Sequence, residues 1–312
     1  MSSPRVLVVI PLYNALAYIR QAIQSILDQS YSDFVLLVVN DGSTDGSGEV
    51  ARSFNDARVI VLDQPNRGVG AVMNTAIAFA CERAIPYIAC MAADDISMPN
   101  RLEVQLHLLE THKDVAACGS NCYYVDAHTE EVIGTSTVPL SSLWIKWEIF
   151  HGLRGLVEGA STFRTEALCE VGGYRPQFVQ AEDTDIFLRL AEKFALMNAP
   201  QYLYKIRFHT ESLSVKNYHK NVLYHFYALD CSRRRRRGQP EMDLSEFMHS
   251  LTFGQRWAIW REVRFLELWR QYLTRRNGLY LLAALCLSPK RLVSRILRRV
   301  DQFSRSFLEP GR

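Results

Sequence analysis

The chain has 312 residues, 48% of them hydrophobic and 22% charged, with 16 Gly, 11 Pro and no low-complexity tract, a composition that excludes disordered and collagen-like classes and allows two or three domains. Its net charge of +3 divides unevenly: residues 1–215 hold 16 Lys and Arg against 25 Asp and Glu, whereas residues 216–312 hold 20 against 8. An acidic body with a basic tail points to an anionic partner for the tail, either lipid headgroups or nucleic acid.

Residues 6–10 form a continuous apolar, β-branched run, the pattern of a strand buried on both faces of a parallel sheet. It ends at Pro11, and Asn14 is placed to cap a helix whose apolar stripe is Ile19, Ala22, Ile23, Ile26 and Leu27. Residues 34–39 are the next strand, stopped by the turn-formers of 40–43, and residues 59–62 are a third. After the loop 66–70, residues 71–81 read as a helix and 85–91 as a strand that runs into Asp94 and Asp95. Strand, loop and helix therefore repeat over residues 5–95, which predicts an α/β fold with a mostly parallel sheet and helices on both faces. Further on, a helix opens after Pro99, residues 115–125 and 132–138 resemble strands, and residues 155–163 lead to a short helix and the turn Gly172-Gly173-Tyr174. Glu182 and Asp183 then stand at the start of a helix with Phe187, Leu190, Ala191 and Phe194 at helical spacing.

Ligands bind such sheets beyond the carboxyl ends of the strands. Pro11, Tyr13 and Asn14, the 40–43 turn, and Asp94 with Asp95 all fall on that edge. Tyr13 is either a loop aromatic or a platform for a nucleotide base, and Asp41 either closes an Asx turn or accepts the imide N–H of a pyrimidine. Asp94 and Asp95 are either caps or hard oxygen ligands for a Mg2+ or Mn2+ on a diphosphate. Asp183 either complements the helix dipole or acts as a general base. Gly68 and Gly70 match neither dinucleotide nor P-loop glycine patterns, while Arg67, Arg207 and His209 are candidate phosphate contacts.

Six segments in order, VVIPLYN (8–14), VVNDGSTDGS (38–47), NRGVGAVMN (66–74), AADDISMPNRL (92–102), FRTEALCEVGGY (163–174) and AEDTDIFLRL (181–190), resemble the family 2 inverting glycosyltransferases of the GT-A fold, bacterial surface-polysaccharide type. The resemblance covers about residues 5–215. It implies that Tyr13 and Asp41 bind the nucleotide base with Ser43 and Arg67 close by, that Asp94 contacts the ribose or sugar, and that Asp95 holds the metal. It further implies that Asp183 of the Glu182–Asp183 pair is the catalytic base and that Arg207 and His209 touch the diphosphate. Many relatives carry an acid where Ala92 or Ala93 stands, so only two carboxylates remain here for metal and sugar. The implied reaction is a metal-dependent, inverting transfer from a UDP- or dTDP-sugar to a glycan or lipid-linked acceptor, the alternative being a catalytically degenerate scaffold that binds nucleotide sugars.

The acceptor side is expected from residues 140–175, including Glu158 and Gly159, with Trp144 and Trp147 as a sugar platform or as core packing. In the tail, residues 279–287 are too short to span a bilayer, and residues 290–303 set Leu292, Val293, Ile296, Leu297, Val300 and Phe303 against a basic face. Such a helix suits peripheral attachment to the anionic inner face of the cell membrane; the other reading packs the tail on the body. The five arginines of 233–237 read as a solvated basic loop, with no nucleic-acid reader motif beside them. Seven cysteines without metal spacing, and an N-terminus lacking a signal sequence, read as buried thiols of a cytoplasmic protein.

Overall fold

The apolar runs read near residues 6, 34 and 59 are three neighbouring parallel strands of one nine-stranded sheet, seen in a computed structural model that describes residues 4–208, 218–275 and 278–287. The strands are β1 (Val6–Leu12), β2 (Phe34–Asp41), β3 (Val59–Gln64), β4 (Tyr87–Cys90), β5 (Ile96–Ser97), β6 (Val115–Asp126), β7 (Val132–Ser136), β8 (Thr162–Arg164) and β9 (Ala195–Phe208). Their order is β3-β2-β1-β4-β8-β6-β9-β5, with β7 paired to β6. β1 runs parallel to β2 and β4, β2 to β3, and β6 to β9, so parallel ladders carry most of the pairing. The short antiparallel strand β8 joins the two parallel parts by pairing with β4 on one side and β6 on the other.

Strand side chains alternate between faces, and the sequence supplies apolar groups to both. Leu7, Val9, Val35, Leu37 and Val39 enter one core, covered by α3 (Val69–Glu82), α5 (Ser142–Phe150), α6 (Thr165–Glu170) and α7 (Glu182–Lys193). Val6, Val8, Ile10, Leu12, Phe34, Leu36 and Val38 enter the other, under α1 (Ile19–Leu27), α2 (Ser47–Arg52) and α4 (Arg101–Thr111). Each fully buried Leu, Ile or Val contributes about 1.5–3 kcal/mol relative to exposure, which is why β1 and β2 tolerate no polar residue before Asn40.

Several local expectations are corrected. β1 continues through Pro11 to Leu12, and α1 is capped at Tyr18; Asn14 instead adopts a left-handed φ of 49°, which Asn tolerates, and ties two loops together. Helix α5 and the two-residue strand β5 lay outside the periodicity read from sequence. Cys81, Cys169 and Cys286 are exposed, so only four of the seven thiols are buried.

The C-terminal region continues as α8 (Tyr218–Arg236), α9 (Leu244–Ser250), α10 (Phe253–Arg275) and α11 (Gly278–Leu287). Tyr227, Ala228, Leu229 and Cys231 of α8 lie in the same core as Leu7 and Phe187, and the Tyr227 ring stacks on Phe178 at 5.1 Å. The arginine run is no solvated loop. It is the end of α8, where Arg235 pairs with Glu192 and Glu241, Arg234 with Asp230, and Arg236 lies over the Phe150 ring at 4.1 Å. No helix of the described residues is long and apolar enough to cross a membrane. The basic amphipathic segment 290–303 and His209 lie outside the described residues.

Candidate active site

Because β1, β2 and β4 are parallel, their carboxyl ends deliver three loops to one edge. The first two are laced together: the Asn14 N–H donates to Ser43 Oγ (3.1 Å), the Thr44 N–H to Asn14 Oδ1 (2.9 Å), and the Leu16 N–H to Asp45 Oδ2 (2.9 Å). Tyr13 stands between these bonds with its side chain 41% exposed, available to a planar ligand. Asp41 ends β2 and is buried. Its carboxylate does not close a local Asx turn; it reaches across to accept the backbone N–H groups of Arg67 (2.9 Å) and Gly68 (2.8 Å), together with the Gln64 amide (2.7 Å). A carboxylate offers about four acceptor positions, so one is left for a ligand N–H. These bonds fix the loop that opens α3, and they need Gly42 at φ 76°, where an added Cβ would lie 3.0 Å from the Asn66 nitrogen. The Arg67 side chain itself is exposed.

Beyond β4, Asp94 is half-buried and Asp95 buried. Neither caps α4, whose N-cap is Asn100. Asp95 accepts the backbone N–H of Arg207 (2.8 Å) and the hydroxyl of Tyr204, and burial followed by the neighbouring Asp94 charge pushes its carboxyl well above the usual range. Two adjacent hard oxygen donors, one of them disfavoured as an anion in the absence of positive charge, suit a Mg2+ or Mn2+ that takes its remaining ligands from phosphate and water. Among the described residues no group of three His, Cys, Asp or Glu is arranged to hold a metal by protein alone. Arg207 is turned inward: its guanidinium is buried, donates to the Asp94 carbonyl (3.2 Å), Gln21 and Glu130 (3.0 Å), and lies over the Tyr18 ring at 5.3 Å. It braces the Asp94–Asp95 loop.

The third part of the rim is acidic. Glu158 accepts the Tyr174 hydroxyl at 2.5 Å, and α7 begins after Ala181, held at φ 54°, with Glu182, Asp183 and Asp185 in its first turn. Asp185, 1% exposed, is consumed by Arg175 and Arg189 and anchors the helix end. Glu182 and Asp183 are half-buried, and among the described residues no cation pairs with either. Burial first, then the Asp183 and Glu182 charges, raise the Glu158 carboxyl well above its ordinary value; burial and the Asp183 charge push Glu182 up to about 7. The three carboxyl groups therefore lie close enough to feel one another's charge. Asp183 Oδ1 accepts the Thr184 N–H (2.7 Å), and the Thr184 hydroxyl lies 3.1 Å from Nδ1 of His225 on α8.

Two glycines join the parts. An added Cβ at Gly70, in the first turn of α3 just after the loop held by Asp41, would lie 3.6 Å from Tyr174 and 3.8 Å from Glu182. At Gly159 it would lie 2.8 Å from the Tyr204 hydroxyl that bonds Asp95. Close approaches thus run from the segment held by Asp41 to Glu182, the neighbour of Asp183, and from Gly159, the neighbour of Glu158, to the Tyr204 hydroxyl on Asp95. Trp144 and Trp147 meet edge to face at 5.9 Å and Trp147 stacks on His151; both are half-buried, while Ile145 and Ile149 provide the core contact of α5. Tyr174 and Thr184 lie within the segments 163–174 and 181–190, where sequence alone assigns them no role. Tyr204 and His225 carried no signal, because the strand and helix that place them pair with residues about a hundred and about forty positions away.

Residues 7–166 match the sequence family described as Glycosyl transferase family 2. EpsE of Bacillus subtilis, which carries a glycosyltransferase name, is 31% identical over 66% of this chain and 74% of its own length. The chondroitin synthase of Pasteurella multocida is 28% identical over 75% of this chain, which spans only 24% of that larger protein. In overall fold the chain is similar to S. aureus TarS 1-349, solved with UDP-GlcNAc (TM-score 0.58, 15% identity, 99% of this chain and 93% of that one). It is also similar to the mannosyltransferase PcManGT of Pyrobaculum calidifontis, solved with GDP-Man and Mn2+ (TM-score 0.55, 18% identity, 99% and 88%).

Proposed function

The chain belongs to glycosyl transferase family 2, with a GT-A fold and a C-terminal helical extension, and on that premise we propose that it moves a sugar from a UDP- or dTDP-sugar to a hydroxyl of a glycan or lipid-linked acceptor, with inversion at the anomeric carbon. What supports this reading is the run of contacts from Asp41 through Gly68 and Gly70 to Glu182 beside Asp183, and from Gly159 through Tyr204 to Asp95. Tyr13 and Asp41 receive the base, Pro11, Asn14 and Ser43 shape the loop beside it, Arg67 closes over it, and Asp94 meets the ribose or sugar. Asp95, with Asp94, holds a Mg2+ or Mn2+ whose charge offsets that developing on the departing diphosphate. Asp183 uses Oδ2, which no described residue engages, to take the proton of the attacking hydroxyl, while Thr184 orients the carboxylate through Oδ1. Glu158, Gly159 and Glu182 line the acceptor side.

In this reading residues 1–215 carry donor binding and catalysis, and residues 216–312 bring them to the inner face of the cytoplasmic membrane. Support comes from α10, where Phe253 (85% exposed), Trp257 (50%) and Trp260 (53%) recur at helical spacing beside exposed Arg256 and Arg264, a face suited to an anionic lipid interface.

Thermal-shift measurements with UDP, dTDP and GDP, each with and without Mn2+, test the donor assignment. UDP or dTDP is expected to stabilise the protein with metal present, and Asp95→Ala to remove that shift. Preferential stabilisation by GDP would overturn the base assignment. Stabilisation without any metal-dependent sugar transfer or donor hydrolysis would describe a binding scaffold instead.

A further inference from the structure

Two thiols outside the rim are placed together by elements distant in sequence. Cys81 lies in the last turn of α3 and Cys169 in α6; both are exposed, and their sulfurs are 2.9 Å apart across 88 residues of chain. A bonded pair lies at about 2 Å, so closing this one takes about 1 Å of side-chain movement. Elsewhere burial pushes Cys118, Cys122 and Cys231 up to about 12, which leaves them inert. The two helices already share a polar tie: Asn74 of α3 bonds both the N–H (2.8 Å) and the carbonyl (2.7 Å) of Tyr174, which follows α6 after Gly172 and Gly173.

We propose that Cys81 and Cys169 form a reversible oxidative cross-link site that reacts with a small disulfide such as oxidised glutathione and locks α3 to α6. Burial, then a hydrogen bond with Cys81, pushes the Cys169 thiol up to about 11, which makes Cys169 a poor opening nucleophile at neutral pH. The Cys81 thiolate attacks the small disulfide, forming a mixed disulfide and releasing one glutathione thiolate. Cys169, as its thiolate, then attacks the Cys81 sulfur and expels the second. The protein loses two protons and two electrons, and one glutathione disulfide becomes two thiols. Helix α3 is 14 residues long, so this site is about 18 Å from the loop held by Asp41 and need not obstruct the rim. A bond closing 88 residues restricts the unfolded chain strongly, and Tm should rise by about 5 °C.

The test uses the full chain, reduced and then incubated in stepped ratios of oxidised to reduced glutathione, acid-quenched, alkylated and digested without reduction. The expected product joins the Cys81 and Cys169 peptides, lacks two hydrogen atoms, shows the higher Tm, and reverts with dithiothreitol. Cys81→Ser and Cys169→Ser, both at exposed positions, should each keep the reduced protein's Tm and lose the linked peptide and the rise. The proposal is overturned if both thiols stay alkylatable at the most oxidising ratio, if each carries glutathione without linking, or if the Tm rise persists in Cys81→Ser.

Discussion

The two ends of the rim are built on opposite electrostatic plans. At the Asp41 end, the carboxylate is surrounded by donors, two backbone N–H groups and an amide, and serves as a structural acceptor. At the acceptor end, Glu158, Glu182 and Asp183 face one another with the Tyr174 hydroxyl on Glu158 and the Thr184 N–H on Asp183. The first arrangement fixes geometry, since loss of one partner strands several others. The second keeps protons close at hand, since like charges in a shielded space hold at least one carboxyl neutral near pH 7.

That contrast can be broken by substitution. Asp183→Asn should have the largest effect on turnover, a fall of about 10²- to 10⁴-fold with nucleotide-induced thermal stabilisation retained. Equal loss of nucleotide binding would place Asp183 in the donor half. Asp41→Ala strands the Arg67 and Gly68 N–H groups and should lower stability by about 2–3 kcal/mol in urea unfolding while weakening nucleotide binding at least about tenfold. An unchanged unfolding midpoint would mean that the loop does not depend on this carboxylate. Next, His225→Ala should reduce kcat by about threefold to tenfold with the donor KM unchanged, through the freed Thr184 hydroxyl. Leu229, which packs in the core on the same helix, is the control for a merely structural effect, because its truncation should move Tm and not the ratio of kcat to KM.

The smallest effect is the most diagnostic of the acidic end. A carboxyl whose folded value is raised binds its proton more tightly folded than unfolded, so its stabilising contribution is complete below about pH 4.5 and is lost as pH rises through about 7. Glu182→Gln should therefore flatten the decline in stability between those limits and leave the protein more stable than the parent at pH 8. Matched pH profiles of Tm for the two proteins would show it, and parallel profiles would remove Glu182 from the titrating set.

Residues 5–95 were readable because β1, β2 and β4 are buried on both faces and the helices between them bury apolar residues at helical spacing, so period and burial coincide. The carboxylates at the ends of β2 and β4 stood out for the same reason: Asp41 closes an apolar run directly after Asn40, and Asp94 with Asp95 follows the apolar stretch of β4 and residues 91–93. Reading failed where a side chain's partner comes from a remote element. Arg207 followed a strand and looked free for phosphate, yet Gln21 and Glu130 claim it. Net charge misled in the same way at residues 233–237, because a row of arginines does not reveal that Glu192, Glu241 and Asp230 wait on neighbouring segments. Cys81 and Cys169 each look ordinary until two helices bring them side by side.

The stacking of Tyr227 on Phe178, with His225 two residues earlier on the same helix beside Thr184, bears on where the C-terminal extension can be exchanged. A chimera that grafts a foreign extension after residue 208 would keep every strand of the sheet and still arrive with an uncovered aromatic ring and a threonine missing its imidazole. A graft made after residue 236 instead keeps both contacts, because they belong to α8.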